Sequence, residues 1–321
     1  MKNILFIMPW SDDEGKDRLQ RAAGDCSTVF RTAADVTSED ISSANIIIGN
    51  VPPKLLHEPK LEFLQLTSAG ADAYTREGIL SRDTVLTCCT GAYSQTVAEH
   101  AFASTLMLQK DLHLYRDKQS AFEWAPGGIV SSMSDATVIV MGLGDIGCYY
   151  ARMAKALGAH VIGVKRTLSS RPDCVDELFT TEQFDEIVGR GDVIVSFLPS
   201  TPATVHFYTR KRFEMMKPSA IFVNCGRGTA VAMDVLDGVL SDGVIRAAAV
   251  DVFETEPLPA ESPLWKHSNL LLTPHSSGFF HLPATRGRVI DICAENLEAW
   301  LNGGKLKNVV DYNTGYAKKQ S

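Results

Sequence analysis

Three short segments carry side chains that could bind an anion and move a proton. Arg227, Glu256 and His275 each come soon after a run of apolar residues typical of a buried strand. An arginine guanidinium can hold a carboxylate in two hydrogen bonds, and a histidine can give or take a proton near neutral pH. A glutamate bonded to the second ring nitrogen would fix the imidazole. Although each residue alone is more often structural, the set predicts acid–base chemistry on a small carboxylate.

A glycine-rich turn precedes these segments. Residues 136–140 form an apolar run, and residues 141–147 then read Met-Gly-Leu-Gly-Asp-Ile-Gly before a helical pattern. In such a strand–turn–helix, the first glycine permits the turn, the second lets the backbone approach a phosphate and the third lets the helix pack on the strand. The helix N-terminus also attracts an anion. The motif therefore predicts a dinucleotide site that includes Gly142, Gly144, Asp145, Ile146 and Gly147.

The next strand predicts which dinucleotide binds. Residues 160–164 read as that strand, and Lys165, Arg166 and Thr167 follow it. An NAD enzyme usually places Asp or Glu there, to bond the ribose 2′-hydroxyl. Two cations and a hydroxyl would instead attract a 2′-phosphate. We therefore expect NADP(H) in preference to NAD(H), unless these residues form a solvated surface loop.

The elements that must position these residues alternate between apolar runs and helical segments. This pattern is typical of βαβ units and a parallel sheet, so the fold class is α/β. Six strands from residue 136 onward predict a complete doubly wound sheet. The predicted strands are 3–8, 27–31, 45–49, 63–67 and 84–87, then 136–141, 160–164, 192–197, 220–224, 245–250 and 269–273.

These strands indicate two domains, because the first five are too many for a leader segment. We expect a smaller domain made of residues 1–98 and 285–321, and a Rossmann dinucleotide-binding domain over residues 99–284. A long helix over 97–114, started by a capping box at 96–99, would join them. A final helix over 285–301 would return the chain to the first domain, before a polar tail at 313–321.

Composition excludes several classes of protein. A net charge of −7, without long basic runs, argues against partners such as nucleic acid or anionic membrane. Residues 2–8 form too short an apolar stretch for a signal peptide or a membrane span. The seven cysteines are odd in number and form no CxxC pair, and the histidines show no ligand spacing. We therefore expect a reduced cytoplasmic protein without a metal site.

The motifs together resemble those of the NAD(P)-dependent D-2-hydroxyacid dehydrogenases, a family that includes glyoxylate/hydroxypyruvate reductases and phosphoglycerate dehydrogenases. The resemblance covers nearly the whole chain. Besides the glycine turn and the three polar segments, it rests on Ser-Ala-Gly-Ala-Asp at 68–72, Val-Ala-Glu-His at 97–100 and Leu-Pro-Ser-Thr-Pro-Ala-Thr at 198–204. It implies that the smaller domain is flavodoxin-like and binds substrate, with the active site in a cleft between the domains. It also implies a homodimer formed through the dinucleotide-binding domain.

The resemblance further implies a role for individual residues. Arg227, Glu256 and His275 would be the catalytic set. Backbone N–H groups near Ser68, Ala69 and Gly70 would help seat the substrate carboxylate. The cofactor would be contacted near its pyrophosphate by Thr204, near the nicotinamide carboxamide by Cys225 and Asp251, and elsewhere by Leu198, Pro199, Asn224, Gly226, His275 and Ser277.

The expected reaction is hydride transfer between NADP(H) and a small 2-keto or D-2-hydroxy acid, such as glyoxylate or hydroxypyruvate. His275 would exchange the proton on oxygen, and the domains would close on the ligand. Two alternatives remain: a non-catalytic NADP(H)-sensing protein on the same fold, which would need no acid–base pair, and a formate dehydrogenase, which lacks the carboxylate partner of the histidine. The aromatic candidates for a pocket wall, each more often a core residue, are Trp10, Tyr93, Trp124 and Phe279.

Overall fold

The computed structural model describes residues 1–8, 12–56, 61–168, 170–278, 280 and 282–317. The chain divides into two compact units, the first made of Met1–Tyr93 with Phe280–Ser321 and the second of Ser94–Phe279. Each unit has its own parallel sheet flanked by helices, which confirms the α/β class. Within the described ranges, no helix combines the length and the apolar character needed to cross a bilayer. Trp10 and Phe279 lie outside the described residues.

The first unit is built on a five-stranded parallel sheet. The order along the sheet is β2-β1-β3-β4-β5, which is the flavodoxin-like doubly wound order. All five strands lie where the apolar runs predict them. The elements are β1 (Asn3–Ile7), α1 (Asp13–Ala23), β2 (Ser27–Arg31), α2 (Ser38–Ser43), β3 (Ile46–Gly49), β4 (Phe63–Gln65) and β5 (Val85–Thr87).

The second unit is built on a seven-stranded parallel sheet. Its helices are α3 (Ser94–Gln109), α4 (Leu112–Ser120), α5 (Asp145–Ala156), α6 (Phe184–Ile187), α7 (Arg210–Glu214) and α8 (Met233–Ser241). Its strands are β6 (Thr137–Met141), β7 (His160–Lys165), β8 (Glu177–Thr180), β9 (Val193–Ser196), β10 (Ile221–Asn224), β11 (Ala247–Val250) and β12 (Leu270–Leu272). The order β12-β11-β10-β9-β6-β7-β8 reverses direction between β6 and β9. Ligands of such sheets bind outside the carboxyl ends of the strands at this reversal.

The sequence predicts six strands in this sheet, whereas the structure has seven, because the prediction missed β8. The strand is a partly buried edge strand whose ends are polar, so no continuous apolar run indicates it. Its first residue, Glu177, is bonded to the guanidinium of Arg190 and to Nε2 of His160, the latter at 2.7 Å. These partners, Arg190 foremost, lower the pKa of Glu177 to about 2.

The prediction of one helix over 97–114 is also wrong. The helix α3 ends at Gln109, and Asp111 adopts a left-handed backbone with a φ of 53° before α4 begins. The buried Asp111 carboxylate accepts a hydrogen bond from Nη2 of Arg246 at 2.7 Å, which holds the break in place. The predicted capping box fails because Thr96 lies inside α3, where its hydroxyl donates to the carbonyl of Ser277 at 3.3 Å.

The chain returns to the first unit through α9 (Pro283–Leu301), followed by a small antiparallel hairpin of β13 (Val310–Asp311) and β14 (Tyr316–Ala317). The predicted polar tail therefore contains a strand. Asn296 ties α9 to the sheet, because its Nδ2 donates to Oε1 of the buried Gln65 at 2.6 Å. The same amide group bonds the backbone of Lys307 at both its N–H and its carbonyl.

Candidate functional site

Almost all of the candidate residues lie at the carboxyl ends of strands in the sheet of the second unit. Because parallel strands end at a common edge, this placement gathers residues that are far apart in sequence. The groups follow β6 (Gly142, Gly144, Asp145, Ile146, Gly147), end or follow β7 (Lys165, Arg166, Thr167), follow β9 (Leu198, Pro199, Thr204), end or follow β10 (Asn224, Cys225, Gly226, Arg227), follow β11 (Asp251, Glu256) and follow β12 (His275, Ser277).

The turn between β6 and α5 has the geometry that a dinucleotide phosphate requires. Gly142 adopts a φ of 90°, and a Cβ there would lie 2.8 Å from the carbonyl oxygen of Phe197. A Cβ on Gly147 would collide with the carbonyl of Gly142. By contrast, no described atom outside the turn lies within 4 Å of a Cβ built on Gly144, which leaves room for a ligand. The helix α5 begins at Asp145 without a side-chain cap, so its first N–H groups can bind an anion.

The positive residues after β7 lie next to this turn. The carbonyl of Val164 accepts hydrogen bonds from the N–H groups of Gly142 and Leu143, both at 3.1 Å. Lys165, the next residue, is half-buried, whereas Arg166 is exposed. Burial raises the pKa of the Cys148 thiol on α5 to about 11, and the charges of Arg152 and Lys165 only partly oppose this. The positive charge of Lys165 is therefore felt at Cys148, the fourth residue of α5.

The loop that carries Arg227 is held closely between two neighbouring loops. The buried Asn224 side chain accepts from the N–H of Gly226 at 3.1 Å and donates to the carbonyl of Arg227 at 3.2 Å. A Cβ on Gly226 would lie 2.6 Å from the carbonyl oxygen of Leu198, and one on Gly228 would collide with the backbone of Phe253. The two glycines thus let three loops approach closely. Arg227 lies between these glycines in sequence, so its backbone is fixed by the close approach on both sides.

A buried carboxylate shapes the loop that carries His275. Asp251 is only 1% exposed. Its Oδ1 accepts hydrogen bonds from the hydroxyl of Thr273 at 2.6 Å and from the N–H of Ser276 at 2.9 Å, and its Oδ2 accepts from the N–H of Ser277 at 3.1 Å. The carbonyl of Asp251 also accepts from the N–H of His275 at 2.8 Å. All four bonds bring residues 273–277 against the end of β11.

His275 and Glu256 form a hydrogen-bonded pair. Nδ1 of His275 lies 2.7 Å from Oε2 of Glu256, and Oε1 of Glu256 accepts from the N–H of Phe253 at 2.8 Å. The backbone of His275 is left-handed, with a φ of 51°, which residues with a Cβ rarely adopt. The imidazole is about half exposed, so its Nε2 can reach a ligand. A carboxylate that fixes one ring nitrogen leaves the other to exchange a proton.

Two further candidates at this edge are packed inside the protein. Burial raises the pKa of the Cys225 thiol well above its ordinary value, with a smaller effect from the charge of Asp251, so the thiol stays neutral. Thr204 is buried and accepts from the N–H of Thr201 at 2.8 Å while its hydroxyl donates to the carbonyl of Pro199 at 2.5 Å. Both residues therefore shape the loops that surround a ligand site.

The remaining candidates, Ser68, Ala69 and Gly70, follow β4 in the first unit and are half-buried. The side chain of Asn50 accepts from the N–H of Ser68 at 3.4 Å, and the Ser68 hydroxyl donates to the carbonyl of Gly70 at 2.8 Å. The N–H groups of Ala69 and Gly70 have no acceptor among the described residues. Two neighbouring N–H groups without acceptors can bind a carboxylate.

The pocket-wall candidates that the structure describes separate into two kinds. Tyr93 is buried in the first unit, where its hydroxyl donates to the carbonyl of Thr67 at 2.6 Å. Trp124 is fully exposed in the second unit. The structure also shows two histidines to which sequence reasoning assigned no role. Nε2 of His100 lies 3.1 Å from Oγ1 of Thr273, and Nε2 of His206 lies 2.6 Å from Oε1 of Glu254.

We expect Asp251→Asn to destabilise the protein. A carboxamide accepts at only one of its two atoms, so its NH₂ group would face a buried donor that now lacks a partner. The free energy of unfolding in urea should fall by about 2–3 kcal/mol. Asp234→Asn, at an exposed carboxylate on α8, should change it by less than about 0.5 kcal/mol. Equal effects of the two substitutions would contradict the role of Asp251.

Comparison with known proteins agrees with this geometry. Residues 102–277 match the family model of the D-isomer specific 2-hydroxyacid dehydrogenase, NAD binding domain. The sequence is 30% identical over 284 residues to glyoxylate/hydroxypyruvate reductase B of Escherichia fergusonii. The aligned region covers 85% of this chain and 86% of that protein.

Solved structures show the same likeness. The D-isomer specific 2-hydroxyacid dehydrogenase family protein of Aeromonas salmonicida has a TM-score of 0.85 at 31% identity, covering 97% of this chain and 99% of that one. The D-isomer specific 2-hydroxyacid dehydrogenase of Xanthobacter autotrophicus, solved with NADPH and MES, has a TM-score of 0.81 at 26% identity, covering 98% and 99%. The chain therefore belongs to the D-isomer specific 2-hydroxyacid dehydrogenases, NAD(P)-dependent oxidoreductases that act on CH–OH donors.

Proposed function

We propose that the protein reduces a small 2-keto acid, of the glyoxylate or hydroxypyruvate type, with NADPH. The observation that carries this proposal is the 2.7 Å contact between Nδ1 of His275, after β12, and Oε2 of Glu256, after β11. Strand β11 lies between β12 and β10 in the sheet, and the loop after β10 bears Arg227. The name of the Escherichia fergusonii relative supports the choice of substrate.

The described residues fit a dinucleotide. The open space at Gly144 and the uncapped start of α5 suit its pyrophosphate. When bound, NADPH supplies the hydride, and the protein supplies orientation and electrostatics. We propose that the cofactor is held by the turn after β6, the tip of β7 and the loops after β9 to β12. The contacts would come from the candidate cofactor-binding residues that lie at these strand ends. The pair Cys225 and Asp251 would lie at the nicotinamide end.

Arg227 and His275 would act directly on the substrate. The guanidinium of Arg227 would hold the carboxylate in two hydrogen bonds and draw electron density from the adjacent carbonyl. Nε2 of His275 would donate its proton to the carbonyl oxygen as the alcohol forms. The proton on Nδ1 would stay in its bond to Glu256, so the ring keeps its orientation in both protonation states. In the first unit, we propose that the N–H groups of Ala69 and Gly70 bind the carboxylate.

Loss of NADPH absorbance at 340 nm tests this proposal. We expect turnover of glyoxylate or hydroxypyruvate, and lower rates with pyruvate and phenylpyruvate. His275→Gln should lower kcat at least about 100-fold, because the proton donor is lost, while NADPH affinity changes less than about threefold. His160→Gln, at a half-exposed histidine that also pairs with a glutamate, should keep wild-type kinetics. Tight NADPH binding without consumption of any keto acid would favour a sensor.

We propose a preference for NADPH because Lys165, Arg166 and Thr167 form the tip of β7 and place no carboxylate there. A ribose 2′-phosphate carries negative charge that the two cations would bind, whereas a 2′-hydroxyl gains little from them. The Xanthobacter autotrophicus relative was solved with NADPH, which supports this choice.

Removing the two cations tests the preference. The double variant Lys165→Ala and Arg166→Ala should raise the KM for NADPH about 10- to 100-fold, because charge-assisted hydrogen bonds are lost. The KM for NADH should stay within about twofold of the wild-type value. Lys217→Ala, which removes a cation paired with Asp192, should change neither. Equal losses with both cofactors would contradict recognition of a 2′-phosphate.

We propose that the protein forms a homodimer through residues 112–130 of the second unit. Phe122, Trp124 and Ile129 in this segment are 98%, 103% and 94% exposed, and a concentration of exposed apolar side chains is typical of an interface. A second copy would cover these apolar side chains.

Light scattering during size-exclusion chromatography checks the dimer. We expect twice the mass of one 35.0 kDa chain. The double variant Phe122→Ser and Trp124→Ser should elute as the monomer, because two large apolar side chains leave the interface. Trp265→Ser, at another exposed tryptophan of the second unit, should stay dimeric. A monomeric wild type would contradict the proposal.

We also propose that the protein works in a reducing, cytoplasmic setting. All seven cysteines are free thiols. The buried sulfurs of Cys89 and Cys293 lie 3.9 Å apart, at the distance of a thiol–thiol hydrogen bond rather than a disulfide, which suits a compartment that keeps thiols reduced.

A further inference from the structure

We propose that His206 is a positioning residue for Glu256, because it fastens together the three loops that follow β9, β10 and β11. This inference rests on the proposed function, in which Glu256 orients the proton donor. His206 lies in the loop after β9. Its Nε2 lies 2.6 Å from Oε1 of Glu254 in the loop after β11, and its N–H donates to the carbonyl of Thr229 after β10 at 2.7 Å. One residue thus bonds both of the other loops, including the loop after β11, which lies beyond β10 in the sheet.

Each of the three loops carries a part of the proposed site. The loop after β9 carries Thr204, the loop after β10 carries Arg227, and the loop after β11 carries Glu256. A contact that joins all three loops therefore couples groups assigned to the cofactor, to the substrate carboxylate and to the proton donor.

The backbone of His206 has a conformation that is uncommon for residues with a Cβ. The residue is left-handed, with a φ of 50°, a conformation that glycine adopts freely and residues with a Cβ rarely adopt. His275 has nearly the same φ, 51°, and each of these histidines bonds a glutamate of one short segment. Glu254 and Glu256 are two residues apart, so the segment after β11 is held by two histidine–glutamate pairs.

Glu254 can influence Glu256 because the two share a short length of backbone. The carboxylate of Glu256 accepts from the N–H of Phe253 at 2.8 Å, so its position follows that of residues 253–256. The backbone of Phe253 also lies against Gly228. The side chain of Glu254 is 35% exposed, so without His206 it has solvent to turn into. The bond to His206 therefore holds the partly exposed side chain of Glu254, and with it residues 253–256, in place.

Loss of the pair should misplace Glu256 and reduce kcat more than substrate binding. His206→Gly keeps the left-handed backbone and removes the imidazole. We expect His206→Gly and Glu254→Ala each to lower kcat about tenfold, because small displacements of acid–base groups are costly. The KM values for NADPH and keto acid should stay within about twofold. Glu254→Gln should recover kcat to within about threefold of wild type, because its amide oxygen can still accept from Nε2 of His206.

Two combinations separate positioning from a structural role. The variant that joins His206→Gly with Glu254→Ala should lose no more kcat than either change alone, since both break one bond. In a Glu256→Gln background, adding His206→Gly should cause no further loss, because His206 acts through Glu256. His160→Ala is the matched control. Nε2 of His160 lies 2.7 Å from Oε1 of Glu177, and the His160 side chain is 46% exposed, against 51% for His206. His160 is the first residue of β7, so it lies at the amino ends of the strands, away from the proposed site.

The outcomes distinguish this inference from the proposed function. Wild-type kcat in His206→Gly, a loss equal to that of His160→Ala, or a loss that multiplies with that of Glu256→Gln would overturn the positioning role. The positioning role would also be overturned if the fall in kcat of each variant were explained by a smaller folded fraction, as measured by thermal unfolding. If Glu256→Gln itself turns over normally, the orienting role of Glu256 fails and this inference fails with it, whereas the proposed function fails only if the wild-type protein reduces no keto acid. A tenfold loss that disappears in the Glu256→Gln background supports the inference.

Discussion

The carboxylate of Asp251 determines the backbone of the loop that carries His275. A carboxylate with only 1% of its residue surface exposed is costly to bury unless donors surround it. Its donors are the hydroxyl of Thr273 and the N–H groups of Ser276 and Ser277, on both sides of the histidine in sequence. To satisfy one buried charge, the loop must wrap around the end of β11, which places the imidazole within hydrogen-bond distance of Glu256.

Helix α3 supports the same arrangement. Nε2 of His100 lies 3.1 Å from Oγ1 of Thr273, whose hydroxyl donates to Asp251. The hydroxyl of Thr96, one turn earlier, donates to the carbonyl of Ser277. A rigid helix and a rigid sheet therefore hold the loop from two sides. In the proposed reaction such fixed donors and charges would not need to reorganise as the alcohol forms, which is how a preorganised site lowers a barrier.

Sequence reasoning found the elements whose signals are local. Apolar runs located eleven of the twelve strands of the two parallel sheets, and glycine spacing located the turn before α5. The missed features depend on residues distant in sequence. Strand β8 is held by ion pairs of Glu177, and the break after α3 is held by Arg246, 135 residues from Asp111. Likewise, the pairing of His206 with Glu254 spans 48 residues, and no motif around the histidine indicates its left-handed backbone.

Hydride transfer from NADPH to a 2-keto acid is tested most directly with an isotope label. The enzyme would be incubated with hydroxypyruvate and NADPH that carries two deuterium atoms at C4, and the product analysed by mass spectrometry and by chiral chromatography. We expect D-glycerate with one deuterium on C2, since the hydride passes directly from the cofactor to the carbonyl carbon. Glycerate without deuterium at C2, or cofactor that is bound but never oxidised, would contradict the account.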